Sequence, residues 1–331
     1  MGQSSEPEVS KSSSETISSF KVSVSAKIPQ IGMILAFVVM VIVFSLLSPV
    51  FFTFGNFINI ANQTATVSVV AFGMTIVMLS GGIDLSVGSL VSLSAVVCAL
   101  LLNRELPALL SMTISILIGM AFGFVNGFIS VKWSIQPFLV TLGSLSVARG
   151  LSLIFSGGRT VYINSKIFLA VTGRGYLGPI PILFVWTLVF LLFTWVIMNL
   201  TTFGRKVRAI GGNLTAARQA GLRVNWIRIK VFMLSGSLAA FSGLMLAGRL
   251  SSGLPSVGVG MELDAIAASV LGGTGFKGEG GSLVGTLFGA LIMGTVINGL
   301  TILGVNPYVQ EVTKGVIIVL AVLISSIRNK S

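Results

Sequence analysis

The chain has 331 residues, 54% hydrophobic and 9% charged, with a mean hydropathy of +1.00 and 39 glycines, a composition outside that of soluble domains. Its formal charge of +12 comes without a separate basic domain, which argues for membrane orientation and against nucleic acid as a partner. There is no histidine, so His-based catalysis, His metal sites and His proton relays are excluded, and the lone Cys98 permits no internal disulfide.

In chain order, residues 1–30 form a polar tail, Ser-rich with scattered Glu and Lys, that is expected to be disordered. A membrane body over 31–326 follows, and residues 327–331 close the chain as a second short tail. Apolar runs fall at 31–49, 58–80, 85–102, 108–131, 137–156, 180–200, 231–251, 263–275, 283–304 and 309–326. Their lengths are those of membrane helices rather than barrel strands. The expectation is an all-α polytopic membrane protein with about ten transmembrane helices.

If the N-terminus is inside, ten spans put the C-terminus, the 132–136 turn, the 276–282 loop and the polar stretch 201–230 inside as well. Fourteen Lys/Arg then lie inside against four outside, as the positive-inside rule requires. Arg159 and Arg174, with Lys166 in the outer connection 157–179, run against that trend.

The 201–230 stretch carries seven Lys/Arg and no acid. Its centre is a short capped helix: Asn213 can bond the free N–H groups at its start, and Gly221 supplies the positive φ of a C-terminal stop. Two turns of helix are marginal alone in water, which points to a docking partner.

Two acid-bearing places look alike. Ile83-Asp84-Leu85-Ser86-Val87-Gly88-Ser89 aligns with Leu263-Asp264-Ala265-Ile266-Ala267-Ala268-Ser269, each with an Asp opening a helix and a Ser five residues on. This predicts broken helices and an inverted repeat of spans 2–5 and 7–10. Asp84 is placed to cap Val87 or Gly88, with contact to a substrate path as the alternative. Glu262 and Asp264 are expected to pair with Arg249, and Glu311 with Lys314 three residues on. Arg149 lies deep in its span and its role stays open. The glycine ladders Gly119, Gly123, Gly127 and Gly281, Gly285, Gly289 read as close-packing faces. The run Gly272 to Ser282 lacks the ending of a phosphate loop and follows a membrane span, so nucleotide binding by this chain is not expected.

The segment Asn213 to Gly221 contains Thr215-Ala216-Ala217 followed three residues later by Gly221, which resembles the E-A-A-x-x-x-G signature of ABC importer permeases with Thr in place of Glu. Further strings, SGGIDLSVGSL at 80–90, FGRKVRAIGGN at 203–213, ELDAIAASVLGGT at 262–274 and GTLFGALIMGTVINGL at 285–300, resemble the ribose-type branch of bacterial monosaccharide permeases. The resemblance spans residues 30–326. It implies a permease of the bacterial inner membrane that forms a dimer with a second permease chain, docks a separate ATP-binding cassette subunit inside, and receives sugar from a periplasmic or extracellular sugar-binding protein. ATP and Mg would sit on the partner subunit, with no cofactor or metal on this chain and no catalytic residue.

On this reading Asn213, Leu214, Thr215, Ala216, Ala217, Arg218 and Gly221 couple to the ATPase, with Ala216 and Ala217 as a small flat surface. Asp84, Ser86, Ser89, Asp264 and Ser269 border the translocation path or its broken helices, and Arg159, Arg174 and Arg249 meet the binding protein. Related permeases for branched-chain amino acids, nucleosides or a furanone signal share much of the pattern, and an ion-coupled secondary transporter is the rival from another class.

Overall fold

The computed structural model describes residues 34–328 apart from 276, 277 and 279. The expected tail 1–30 and residues 329–331 lie outside the described residues. All ten apolar runs are helical: α1 (Ile34–Leu47), α2 (Phe54–Leu79), α3 (Val87–Asn103), α4 (Ala108–Lys132), α5 (Pro137–Ser156), α7 (Ile182–Leu200), α10 (Val224–Leu250), α11 (Met261–Leu271), α12 (Leu283–Ile302) and α13 (Pro307–Arg328). Three shorter α-helices lie between them, α6 (Lys166–Leu169), which runs on into a π-helical turn (Ala170–Arg174), α8 (Thr202–Gly212) and α9 (Leu214–Gln219). Among the described residues, strands are only two residues long: β1 (Val161–Tyr162) pairs with β4 (Ser252–Gly253), and β2 (Tyr176–Leu177) with β3 (Ile180–Pro181).

Six of these helices, α2, α4, α5, α7, α10 and α12, are long and apolar enough to cross a membrane. The most apolar 18-residue windows of α2 and α10 are each 78% buried, against 17% for α5, so α2 and α10 form the centre of the bundle and α5 its margin. An apolar helix that leaves its side chains outward at the margin is stable because the bilayer is its solvent.

Close packing follows the small residues. Gly119, Gly123 and Gly127 set α4 directly on the α10 backbone at Gly236, Phe232 and Ile229. Gly285 and Gly289 set α12 on α11 at Gly272 and Ala268. Without a hydrophobic driving force between helices in lipid, such backbone approach supplies much of the contact. Gly281 does not belong to the second ladder: it stands at φ 79° before the helix, against Thr274, and α12 begins only after its cap Ser282.

The packing partners repeat. α4 lies on α10 as α12 lies on α2; α3 packs against α4, α5 and α10, and α11 against α12, α13 and α2. Exchanging α2 for α10, α3 for α11, α4 for α12 and α5 for α13 maps one set of contacts onto the other, the correspondence that the Asp84 and Asp264 strings call for.

The connections sort to two ends. At one, Gly211 of α8 meets Leu79 and Gly278, and one groove is shared by Gly82, Ser134, Gln136, Leu214 and Arg218. At the other, Asn103 bonds the Tyr162 carbonyl at 3.0 Å, Ile163 N–H bonds Ser251 at 2.9 Å, and Gly173 abuts Gly248. Residues 132–136, 201–230 and Gly278 are therefore on one end, and 157–179 on the opposite one.

Two elements differ from expectation. The polar stretch contains a second helix, α8, whose Gly204, Val207 and Ile210 are buried while Arg205, Lys206 and Arg208 point outward. α10 starts at Val224, seven residues before its apolar run, because hydropathy marks the hydrocarbon and a helix can continue beyond it. The short eighth run gives an 11-residue helix, roughly 16 Å long and about half the hydrocarbon thickness. The remaining depth is taken by a non-helical segment along α3, with Gly253 against Ala95 and Gly258 against Gly88.

Candidate functional site

The capped helix of the basic stretch is present as α9. Asn213 is its N-cap and accepts a bond from Ala216 N–H at 2.9 Å, and Gly221 takes φ 78° just past its end. Leu214, Thr215, Ala216, Arg218 and Gln219 are exposed. Ala217 is not on that surface: it is 5% exposed and part of the core, so the expected pair of surface alanines reduces to Ala216. On a helix, successive residues point about 100° apart, so two neighbours cannot both face a partner squarely when one is packed inward.

Leu214 and Arg218 share a polar groove of about 510 Å³ with Gly81, Gly82 and Ile83, with the Ser130–Phe138 turn between α4 and α5, and with Asn225 and Arg228 of α10. The groove thus joins α9 to the break between α2 and α3.

That break is pinned by buried side chains from three helices. Asp84 Oδ1 accepts from Ser86 N–H at 3.1 Å and Ser86 Oγ at 2.6 Å, and its Oδ2 accepts from Ser235 Oγ of α10 at 2.9 Å. Asn126 of α4 donates to Ser86 Oγ at 3.0 Å and accepts from Ser144 of α5. Thr141 Oγ1 accepts from Leu85 N–H at 3.1 Å. Non-helical backbone in the membrane needs such partners, since lipid offers none. The expected cap is corrected by one position: the carboxylate takes Ser86 N–H, and no side chain caps the first N–H groups of α3.

Asp84, Ser86, Ser89 and Ser269 are all 0% exposed. Ser89 donates to the Ser86 carbonyl at 2.8 Å. Ser269 of α11 accepts from Thr75 of α2 at 2.9 Å, and Thr75 is 2.7 Å from Thr286 of α12. Asp84, Ser86 and Ser269 therefore tie helices together, while Ser89 bonds back within the start of α3.

Asp264 is different. It borders a cavity of about 70 Å³ between α2, α12 and α13, and its partner is Lys314 at 3.8 Å, which also holds Glu311 at 2.9 Å. The Glu311–Lys314 pair is as expected, whereas the pairing of Glu262 and Asp264 with Arg249 is not. Arg249 donates to the Asn62 carbonyl at 3.3 Å, and Glu262 lies against Gly88 in the first turn of α3, its Oε2 buried. α11 runs inward beside α13, which removes both acids from the end of α10. Arg149 has its Nε buried and unbonded.

Arg159, Arg174 and Arg249 are exposed and belong to the end that carries residues 157–179. Sequence reading missed Asn126, Ser144, Ser235, Thr75 and Thr141 as partners of the broken helices. A lone Asn inside a 25-residue apolar helix was the available signal for Asn126.

An almost wholly helical bundle with six helices of membrane length among the described residues, a half-length helix and a capped helix flanked by basic residues at one end defines a multi-pass membrane protein. The family model described as "Branched-chain amino acid transport system / permease component" matches residues 56–322, and the chain belongs to that family of inner-membrane permease components. It is 42% identical over 298 residues to the ribose import permease protein of Escherichia coli K12, covering 88% of this chain and 92% of that one. The ribose import permease of Bacillus subtilis is 38% identical over 303 residues, covering 91% and 94%, and the L-arabinose transport system permease of E. coli K12 is 36% identical over 312 residues, covering 91% and 92%. No solved structure matches the chain.

Proposed function

We infer that the chain is the membrane-spanning permease subunit of an ATP-driven importer that carries a monosaccharide, ribose or a similar pentose or hexose. The observation that carries this reading is the 42% identity over 298 residues to a ribose import permease. ATP and Mg are held by a separate ATP-binding subunit, and the sugar is delivered by an extracytoplasmic binding protein. The family description also favours a second reading, a branched-chain amino acid as cargo.

Ten spans place both termini and the α8–α9 end in the cytoplasm, since that end gathers the Lys/Arg of 201–230. Spans 2–5 and 7–10 are an inverted repeat, supported by the exchange of packing partners described above. A second copy of the chain completes the pathway. Leu214, Thr215, Ala216 and Arg218 contact the ATPase, with Asn213 and Gly221 setting the ends of α9 and Ala217 anchoring it. Closure of the ATPases moves α9, and the groove passes that movement to the 80–86 break. Asp84, Ser86, Ser89, Asp264 and Ser269 hold the broken helices whose shift opens the path, and Arg159, Arg174 and Arg249 meet the binding protein.

The test is uptake into proteoliposomes holding the permease, its ATPase subunit and its binding protein. Ribose or a related sugar is expected to enter only with ATP and binding protein present. Uptake that follows an ion gradient without ATP would sink the reading, and uptake of leucine but no sugar would shift it to the second cargo.

A further inference from the structure

A cavity of about 700 Å³ opens between α8 and the start of α10, on the side of α10 away from the groove that holds Arg228. Its walls bring together Lys206 of α8, Arg223 before α10 and Lys230 of α10, all exposed, with no acidic residue among them. Among the described residues, none of the three has an ion pair. Three like charges around one cavity repel each other unless an anion occupies it.

The apolar part of the lining is Phe203, Ile227 and Trp226, the last 58% exposed. The depth of the cavity follows from the helices beside it. Phe203 comes three residues after the apolar span α7 ends at Leu200, and residues 226–230 are the first turns of the span α10. The cavity is therefore at the level where two spans leave the hydrocarbon, which is the level of lipid headgroups. Trp with Lys and Arg at that depth, between membrane helices, is the chemistry of an anionic headgroup site.

We propose that this cavity binds the headgroup of an anionic phospholipid, its phosphate on Lys206, Arg223 and Lys230 and its upper acyl carbons against Phe203, Trp226 and Ile227. The site needs only that the chain be embedded in a bilayer, and it stands whether or not the transport reading does. It sets a membrane component against α8, the helix that leads into α9.

The purified full chain, in nanodiscs of phosphatidylcholine and phosphatidylglycerol in equal parts, is extracted gently and its retained lipids are weighed by native mass spectrometry. Phosphatidylglycerol is expected to be strongly enriched. Since a cation near an anionic surface contributes a factor of about five, K206Q/K230Q should lower its retention roughly twenty-five-fold, with K206R/K230R close to the parent. Equal retention of the two lipids by the parent chain overturns the proposal even if the variants do not fold. So does undiminished retention in K206Q/K230Q, whether or not that variant has lost the ATP-binding subunit. Inorganic phosphate that stabilises the detergent-solubilised chain against heat as well as phosphatidylglycerol does would assign the cavity to a free anion and also overturn it.

Discussion

Gly211, near the end of α8, lies with its Cα on the Leu79 carbonyl at the end of α2, so that a methyl group in its place would overlap that oxygen. Gly212, the next residue, has nothing within 4 Å of the same position. The contact links α8 of the basic stretch directly to the central helix α2. Gly211→Val should destabilise the chain by about 1–3 kcal/mol through overpacking and uncouple ATP hydrolysis from uptake, while Gly212→Ala leaves both unchanged. Thermal unfolding and coupled transport, measured on the same two variants, check this. Equal behaviour of the pair would mean that α8 does not bear on α2.

Ala216 and Ala217 should separate surface from core. Ala216→Arg adds bulk to the exposed face of α9 and is expected to abolish co-purification of the ATP-binding subunit with no change in melting temperature. Ala217→Leu enlarges a buried side chain and should cost about 1–3 kcal/mol of stability. If Ala216→Arg retains the subunit and full transport, α9 is not the docking helix.

Removing the Asp84 carboxylate strands two hydroxyls and the Ser86 N–H in the membrane interior. Asp84→Ala should therefore destabilise by about 3 kcal/mol or more, since several buried donors lose an acceptor together. Ser235→Ala removes one bond to a charged group and should cost about 1.5–3 kcal/mol, always less than Asp84→Ala. Denaturation in detergent gives the order. The reverse order would place the carboxylate outside the network.

The α4 face offers a matched pair of glycines. A methyl group at Gly123 meets the Phe232 carbonyl of α10, whereas one at Gly143 of α5 meets nothing within 4 Å. Gly123→Ala should lower the melting temperature and Gly143→Ala should not, because only the first forces two backbones apart.

Lys314→Met leaves the half-buried Asp264 without its cation and is expected to cost about 1–3 kcal/mol. Adding Asp264→Asn should restore part of that loss. A double variant no better than the single one would show that the two side chains are not coupled.

The positions of the ten apolar helices were legible because hydrophobic runs report the hydrocarbon directly. What hydropathy does not report is where a helix ends outside it, and so α8 and the first turns of α10 were hidden in a stretch whose charges looked continuous. The caps of α9 were legible because Asn213 and Gly221 act locally. The partner of Asp264 was not: Glu311 and Lys314 satisfy the i,i+3 rule between themselves, which masks the contact of Lys314 with a helix fifty residues earlier. Likewise the burial of Ala217 depends on how α9 is rolled against the bundle, and two adjacent alanines carry no mark of that rotation.

The half-length helix α11 and the non-helical segment beside α3 lean on their neighbours. A helix of 11 residues carrying Glu262 and Asp264 cannot partition into lipid by itself, because it neither spans the hydrocarbon nor hides its acids. It enters only against surfaces already in place: the Gly88 turn of α3, Thr75 of α2 and the glycines of α12. Residues 252–275 therefore depend on α2, α3 and α12 for their place in the membrane, and a change that removes one of those surfaces is felt here first.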